Sequence, residues 1–525
     1  MKLNLKTKNI LVVEDHAIIR EAIKHMLYSL EARRIVDLAS GAAAISSMKN
    51  IPFDIVICDY HLGAGKNGQQ VLEEARHSKL LSFNAIFIMV TVEQQQSMVL
   101  SALDNKPDDY LTKPFNAQQL LSRLQKCFDR KYYFADIEQE IHNGNSYSAI
   151  NHCEKLLNQA NKNHRLQLLK IRAELAIEIG DFDTALGIYQ NVLKERDLSW
   201  ARLGLGIIAF RLEHYDQAIA YFQQLIELQP AMLDAYDWLT KTHETINNNQ
   251  LALETIESAV ALSPQAILRQ QKLAALASHA NFLETAQRAY KAAIKLGKHS
   301  VHQSSKDLSG LAKIYIQTNA IVQAQQLLDD LKQQYTNEPE AELQAALLSI
   351  DLYQKTGQNS LAKQAYEKAL PLSEQFGRLA SKEVRLQMAK TCFVNNDAGI
   401  AEKIIHDLVK SNIDNKAFME DIKQLCKSFN SDNYLESLIR DTKQELVDIN
   451  NKGVQLFKEG KIKEALKTFE NAMEIMPDNK TILLNVAKIL VHDLKASGYS
   501  QKKLQKAQSF INKAIHVGIA HDKIS

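Results

Sequence analysis

The stretch Ile55-Val56-Ile57-Cys58-Asp59-Tyr60-His61 decides how the first part of this chain folds. Four apolar residues precede a carboxylate, with Pro52 upstream and a glycine-rich segment downstream. Such a run predicts a buried parallel strand that gives way to a loop at Asp59. Open parallel sheets bind their ligands outside the carboxyl ends of their strands. We therefore expect Asp59 to lie at the mouth of a ligand-binding crevice.

The composition indicates a globular chain of two or more domains that is rich in helix. The chain has 525 residues, of which 46% are hydrophobic and 24% charged, so it can bury a large core. It holds 18 glycines and 8 prolines, and such sparse turn residues favour long helices with short connections. A formal net charge of +2 does not suggest direct binding to nucleic acid.

Neither disulfides nor a membrane anchor are indicated. The cysteines are odd in number, widely spaced and lack a Cys-x-x-Cys pair, so we expect buried or idle thiols in a reducing compartment: Cys58, Cys127, Cys153, Cys392 and Cys426. The apolar run 10–13 is too short for a signal peptide, and no uncharged apolar segment approaches the ~18 residues of a membrane span. A cytoplasmic protein without membrane insertion is expected.

The first 130 residues alternate between two hydrophobic periods. Short β-branched or apolar runs predict strands at 9–13, 35–38, 55–58, 85–90 and 109–111. Helical spacing follows each of them, at 17–30, 41–48, 69–76, 93–103 and 117–128. Five strands that alternate with five helices predict an α/β doubly wound parallel sheet with helices on both faces.

A set of polar residues follows the predicted strands. The set consists of Glu14 and Asp15 after the first strand, Asp59 after the third, Thr91 after the fourth and Lys113-Pro114 after the fifth. This combination resembles the receiver domain of bacterial two-component response regulators, the CheY-like family, over about residues 7–130. The resemblance implies a flavodoxin-like sheet with strand order 2-1-3-4-5.

Three carboxylates that converge on one crevice repel each other, and a hard divalent cation relieves that repulsion. Mg2+ suits them because it accepts a few carboxylates and completes its octahedron with water. Glu14, Asp15 and Asp59 are therefore expected to hold Mg2+, and the resemblance adds the backbone carbonyl of His61. Taken without the other residues of the set, Glu14 and Asp15 could equally well cap the helix that follows them.

The resemblance also implies a role for each remaining residue. Asp59 would accept a phosphoryl group, Lys113 would neutralise charge on the transferring oxygens, and Thr91 would donate its hydroxyl. Tyr110 would swing inward behind Thr91 as the switch residue. Neither imidazole, of His16 or of His61, is expected to take part. Val92 departs from the small residue that most receivers have, which affects access of water to the phosphoryl group.

Beyond residue 128 the sequence repeats. Ala185, Ala218, Ala252 and Ala286 are 33, 34 and 34 residues apart, and Tyr189, Phe222, Ile256 and Tyr290 follow them by four. Small residues occupy the matching place in the preceding helix: Gly206, Thr240 and Ala274. The pattern resembles the tetratricopeptide repeat, a pair of antiparallel helices, and implies an all-α superhelical solenoid that binds protein segments in its groove. Weaker units centre on Ala149, Ala324, Ala362 and Ala401. A clear unit returns at Ala465, and a last one follows around Ala487 and Ala507.

Four parts of the chain follow from these patterns. They are a receiver domain at 1–130, a first repeat block at 131–401, an irregular helical segment at 402–445 and a C-terminal repeat block at 446–525. The groove positions expected to contact a partner are mixed in charge: Lys170, Glu174, Trp200, Leu203, Ile207, Asp234, Asp237 and Lys241.

Together the two resemblances imply a response regulator that a sensor histidine kinase phosphorylates on Asp59 and whose repeats act as a phosphorylation-controlled adaptor. The protein partner is unidentified, and a homodimer is also open. No enzymatic activity is expected beyond Mg2+-dependent self-phosphorylation and autodephosphorylation. Two alternatives remain: a modulator or phosphate sink that binds and inhibits its own kinase, and a constitutive scaffold with a receiver that does not cycle.

Overall fold

A computed structural model describes residues 3–92, 106–160, 162–377, 379–476, 479–497 and 501–516. Near the N-terminus five parallel strands form one sheet in the order β2-β1-β3-β4-β5. The strands are β1 (Asn9–Val13), β2 (Arg34–Leu38), β3 (Ile55–Asp59), β4 (Ile86–Thr91) and β5 (Asp109–Thr112). The predicted doubly wound sheet and its strand order are confirmed.

Alternate residues of the strands point to opposite faces of the sheet. Ile10, Ile57 and Ile88 belong to one buried cluster, and Leu11, Val56 and Met89 belong to the other. Helices α1 (Ala17–Ser29) and α4 (Ala117–His142) cover the first face, while α2 (Gly41–Asn50) and α3 (Gly68–His77) cover the second. The helix predicted at 93–103 lies outside the described residues.

The helix at 117 is longer than predicted. It was expected to end near residue 128 but continues without a break to His142. Leu120, Leu124 and Cys127 pack on the sheet, and Phe134 and Ile137 are buried in the same helix beyond it. Because Lys131-Tyr132-Tyr133-Phe134 contains neither glycine nor proline, nothing in the local sequence stops the helix.

The described residues beyond His142 form helices joined by short turns. Their bounds are α5 (Ser146–Leu157), α6 (Lys162–Glu178), α7 (Phe182–Glu195), α8 (Ser199–Arg211), α9 (Tyr215–Leu228), α10 (Leu233–Thr245), α11 (Asn249–Leu262), α12 (Ile267–His279), α13 (Leu283–Gly297), α14 (Ser305–Gln317), α15 (Ile321–Gln334), α16 (Pro339–Lys355), α17 (Asn359–Phe376), α18 (Lys382–Val394), α19 (Ala398–Asn412), α20 (Lys416–Ser428), α21 (Asp432–Lys458), α22 (Ile462–Ile475), α23 (Lys480–Ser497) and α24 (Gln501–His516).

In the described residues, a left-handed residue marks the turn inside ten of the helix pairs. Its φ lies between +55° and +77° at Gly144, Gly180, Glu213, Asn247, Asn281, Asn319, Gly357, Asn396, Asn430 and Gly460. Glycine and asparagine tolerate this conformation at least cost, which explains why they recur. Asn430 shows that the poorly matching stretch 402–445 also contains such a turn, between α20 and α21. Helix α21 then runs across the predicted boundary at 445, and the domain boundaries stay predictions.

Small residues in the repeats allow close helix contact. A Cβ atom on Gly206 would lie 2.4 Å from Cε1 of Phe222, and one on Gly453 would lie 2.3 Å from Cζ of Phe469. Ala218 and Ala465, which lie four residues before these rings, are fully buried. The alanine and aromatic pattern found in the sequence is therefore the packing core of these two helix pairs.

The chain divides into two compact units. The first comprises Met1–Leu175, Glu195–Gly206 and Ala218–Gly310, and the second comprises Ala176–Lys194, Ile207–Gln217 and Leu311–Ser525. The α/β domain and helices α10 to α13 thus belong to the first unit. Of the helices in the described ranges, none has the length and apolar character needed to cross a membrane.

Candidate functional site

The carboxyl ends of the strands are tied together by main-chain hydrogen bonds. The amide of Glu14 donates to the carbonyl of Leu38 (3.0 Å), and the amide of Tyr60 donates to that of Val90 (2.9 Å). Likewise, the amide of Lys113 donates to the carbonyl of Thr91 (2.9 Å). These bonds continue the sheet by one residue past the strands, so the side chains that follow converge on one edge.

Lys113 joins two buried carboxylates at this edge. Its ammonium nitrogen lies 2.7 Å from Oδ2 of Asp59 and 2.7 Å from Oε2 of Glu14. The side chain of Glu14 is fully buried, that of Asp59 is 5% exposed and that of Lys113 is 13% exposed. One cation thus partly neutralises two acids that water scarcely reaches, which makes the cluster electrostatically unbalanced.

The charges in the cluster perturb one another. Burial raises the pKa of Glu14, and the charge of Asp59 adds to this rise, whereas the hydrogen bond from Lys113 opposes it. Burial lowers the pKa of Lys113, but the bonds to Asp59 and Glu14 outweigh it, so the net shift is upward and the ammonium stays charged. The buried Cys58 thiol has a pKa well above its usual value, so it is no nucleophile.

Asp15 lies closer to solvent than Glu14 and Asp59. Its Oδ1 atom lies 2.9 Å from Nδ1 of His16, and Nδ1 of His16 lies 3.7 Å from Oε1 of Glu14. Potential ligand atoms of Glu14, Asp15 and His16 all lie within 4.8 Å of one another. The sequence predicts no role for the His16 imidazole, yet the structure brings its ring to the acidic cluster.

The residues present fit a hard cation. Among the described residues no hydrogen-bond donor reaches Oδ1 of Asp59, although this atom is buried. A buried carboxylate oxygen without a donor is costly, and a cation with oxygen ligands would satisfy it. Glu14, Asp15 and Asp59 supply the oxygens that Mg2+ prefers. The carbonyl of exposed His61 follows Asp59 by two residues.

The remaining predicted residues lie around this centre. Thr91 ends β4 and is buried, while Val92 beside it is 64% exposed. Tyr110 lies on β5, opposite Met89 in the sheet register. Burial, together with neighbouring Tyr60, raises the pKa of Tyr110 to about 12, so its hydroxyl stays protonated. The structure thus places Tyr110 beside Tyr60, the residue that follows Asp59.

The loop between β3 and α3 returns to the main chain of Asp59. A Cβ atom on Gly68 would lie 2.1 Å from the carbonyl oxygen of Asp59, so no larger residue fits there. Gly63 has a φ of +66°, and a Cβ atom on it would lie 3.2 Å from Oδ2 of Asp15. Gly63 and Gly68, which belong to the glycine-rich segment after Asp59, therefore let the loop lie against the acidic cluster.

Sequence reasoning missed two residues near the cluster, Lys66 and Gln70. Their side chains contact the end of helix α13 within the same compact unit, and they are described below. Asn67 and Gln70 have the spacing of a helix capping box, but nothing in the local sequence indicates that Lys66 or Gln70 also contacts residues more than 220 positions further on.

Several predicted groove residues pair within the repeats. Asp237 accepts two hydrogen bonds from buried Arg269, at 3.0 and 2.6 Å, and the ammonium of Lys241 lies 4.8 Å from the ring centre of Trp238. Lys170 and Glu174 form an ion pair at 3.7 Å. These pairs stabilise the helices, so they indicate structure at least as much as partner binding.

Family models match three parts of the chain. The response regulator receiver domain matches residues 10–125. Tetratricopeptide repeat models match residues 172–232 and 203–267, and another matches 347–376.

Individual known proteins are similar to parts of the chain. Chemotaxis protein CheY-3 of Vibrio cholerae is 28% identical over 125 residues, which are 24% of this chain and 95% of that protein. The aerobic respiration control protein ArcA of Escherichia coli is 27% identical over 143 residues, which are 27% of this chain and 58% of that protein. A tetratricopeptide repeat protein from Parabacteroides merdae, solved by crystallography, has 12% identity and a TM-score of 0.35 and covers 56% of this chain and 97% of its own. The chain therefore carries a response regulator receiver domain at its N-terminus, followed by tetratricopeptide repeats.

Proposed function

We propose that this protein accepts a phosphoryl group on Asp59 from a sensor histidine kinase and thereby controls a protein contact of its tetratricopeptide repeats. The observation that carries the proposal is the bridge of Lys113 to both Asp59 and Glu14 at 2.7 Å, at the edge where the strands end. Structural ion pairs are seldom built from two buried acids and one base, because the excess charge costs stability. Such an imbalance is typical of a site that binds charged ligands.

Each residue of the site has its own role in the proposed phosphoryl transfer. A carboxylate oxygen of Asp59 attacks phosphorus, the bond from phosphorus to the donor breaks, and an aspartyl phosphate results. Lys113 neutralises charge on the transferring oxygens, and the Thr91 hydroxyl donates to the phosphoryl group. Mg2+, held by Glu14, Asp15, Asp59 and the His61 carbonyl, supplies further charge neutralisation when bound.

The change then has to reach the repeats. Helix α4 packs on the sheet through Leu120 and Leu124 and continues through Phe134 to His142. A continuous helix can pass on a displacement without a flexible joint, which supports it as a route for the signal. Unchanged amide hydrogen exchange at residues 130–200 after phosphorylation would count against this route.

The direct test is the mass of the protein after incubation with a small-molecule phosphodonor and Mg2+. The wild type should gain one phosphoryl group, Asp59→Asn should gain none, and Asp136→Asn, which alters an exposed aspartate of α4, should match the wild type. Absence of labelling in the wild type would refute the proposed function. Capture of a non-kinase protein that depends on labelling supports an adaptor, whereas capture of a kinase alone supports the modulator.

A further inference from the structure

Two side chains at the start of α3 reach the end of α13. The ammonium of Lys66 donates to the carbonyl of His299. The amide nitrogen Nε2 of Gln70 donates to the carbonyls of Leu296 and Lys298, both at 3.2 Å. All these residues belong to the first compact unit. The receiver thus makes hydrogen bonds to its own repeats.

The end of α13 is a suitable acceptor. A helix leaves its last carbonyls without partners inside the helix, and its C-terminal end carries a partial negative charge. Helix α13 ends at Gly297, so Leu296 lies in its last turn, and Lys298 and His299 follow directly. A lysine and an amide donor therefore satisfy these carbonyls. Lys66 also pairs with Glu74 at 2.8 Å, and both side chains are largely buried.

The same glutamine also holds the start of α3. Oε1 of Gln70 accepts from the amide of Asn67 at 3.1 Å, and Oδ1 of Asn67 accepts from the amide of Gln70 at 2.9 Å, which forms a capping box. Gly68, which follows Asn67, donates from its amide to the carbonyl of Tyr60 at 2.8 Å. One side-chain amide therefore links the repeats to the segment that begins at Asp59.

A cleft of about 70 Å3 lies beside these bonds. Tyr60 and Gln69 line it from the receiver, and Ile267, Leu296 and His302 line it from the repeats. Tyr60 is also the neighbour that raises the pKa of Tyr110. The cleft is thus lined by Tyr60, which directly follows Asp59 in the chain and packs on the same core cluster as the predicted switch residue Tyr110.

We propose that Lys66 and Gln70 dock the unphosphorylated receiver on the end of α13, and that phosphorylation of Asp59 and this docking oppose each other. The proposal rests on the proposed function of Asp59. A phosphoryl group adds about −1.5 to −2 charge at neutral pH and three oxygens. The loop that must make room for it lies against Asp15 at Gly63 and is held to the repeats at Lys66 and Gln70. Energetic coupling between two events is reciprocal. A docking contact that disfavours phosphorylation of Asp59 is therefore itself weakened when Asp59 is phosphorylated.

The test uses Gln70→Glu in the full chain. Glutamate keeps the oxygen that closes the capping box, but its carboxylate cannot donate to the carbonyls of Leu296 and Lys298. Gln119→Glu is the matched control, because Gln119 forms the same capping box with Asn116 at the start of α4 and is exposed. Lys66→Gln is a second variant, which removes the charged donor to His299.

Amide hydrogen exchange of residues 296–303 should be about fivefold faster in Gln70→Glu, the factor expected when one net hydrogen bond is lost. The initial rate of Asp59 labelling by a phosphodonor with Mg2+ should rise by about the same factor, since the two events are linked. Lys66→Gln should change both in the same direction, and Gln119→Glu should change neither. Labelled wild type should also exchange faster in this segment than unlabelled wild type.

Unchanged exchange in both Gln70→Glu and Lys66→Gln would show that the docking does not exist in solution. Faster exchange with an unchanged labelling rate would show that docking and phosphorylation are independent. In both cases wild-type Asp59 is still labelled, so the proposed function stands while the docking proposal falls. Failure to label the wild type overturns both.

Discussion

The ammonium nitrogen of Lys113 lies 2.7 Å from Oδ2 of Asp59, although 54 positions separate the two residues in the chain. The lysine also reaches Glu14 at the same distance, so three charged groups with a net negative charge share one nearly dry edge of the sheet. The stability of the fold, the proposed metal binding and the proposed phosphorylation therefore involve the same side chains.

Replacing the lysine tests that dependence. Lys113→Met leaves Glu14 and Asp59 buried without their cation, and removing one partner of a buried pair costs about 3–5 kcal/mol of unfolding free energy. Mg2+ should restore more stability to this variant than to the wild type, because the metal supplies the missing charge. Urea unfolding with and without Mg2+ measures both effects, and Lys126→Met on the exposed side of α4 is the control. Equal Mg2+ effects in variant and wild type would contradict the metal site.

The Thr91 hydroxyl is testable by two conservative changes. Thr91→Ser keeps a hydroxyl at the end of β4 and should be labelled on Asp59 at close to the wild-type rate. Thr91→Ala removes it, and loss of one donor to the transferring oxygens should slow labelling by about tenfold or more. Initial rates with a small-molecule phosphodonor make the comparison. Equal rates for the serine and alanine variants would show that the Thr91 hydroxyl takes no part in phosphoryl transfer.

Buried Asp307 predicts a pH dependence of stability. Burial raises the pKa of Asp307 to about 6, partly offset by its hydrogen bond from Gln271, and the residue is 4% exposed. Since its folded pKa lies above its unfolded value, the stability it confers is present below about pH 4 and is lost as pH rises through about 6. Asp307→Asn keeps an acceptor for Gln271 and should stabilise the protein at pH 7 by roughly 3 kcal/mol.

Thermal unfolding from pH 4 to pH 8 measures this effect. Asp183→Asn is the control, because Asp183 also lies in the first turn of a helix but is exposed. The stability gain of Asp307→Asn should vanish towards pH 4. A gain that is the same at every pH would mean that ionisation of Asp307 is not its source.

Two glycines in helices should respond in opposite ways to alanine. Gly187→Ala in α7 meets nothing within 4 Å, so helix propensity should stabilise it by about 0.5–1 kcal/mol. Gly206→Ala in α8 would place a methyl group 2.4 Å from the fully buried ring of Phe222, and overpacking of this kind costs about 1–3 kcal/mol. Chemical denaturation gives both values. Stabilisation by Gly206→Ala would show that helices α8 and α9 can shift to accommodate the methyl group at little cost in free energy.

Local pattern was enough to predict most of the fold. Alternating periods of two and 3.6 residues set the strands and helices of the receiver, because each face of a buried sheet and one face of each helix must be apolar. The spacing of Ala218, Ala252 and Ala286 revealed the repeats, since a small residue is needed wherever two helices cross closely. The alanine spacing does not continue through 402–445, although Asn430 there adopts the same left-handed turn as asparagines in the other repeats.

The sequence was enough to predict which polar residues lie at one edge of the sheet, because parallel strands place their carboxyl ends at the same edge. These residues are Glu14, Asp15, Asp59, Thr91 and Lys113. The tertiary structure alone decided that Lys113 bridges Glu14 and Asp59, that the ring of His16 joins the acidic cluster, and that α4 continues to His142. It also decided that Gln70 contacts the end of α13, 226 positions further on. The reason is physical: hydrophobic periodicity records which residues are buried, whereas a hydrogen bond between distant side chains and carbonyls depends on how packed elements meet, and no local pattern encodes that.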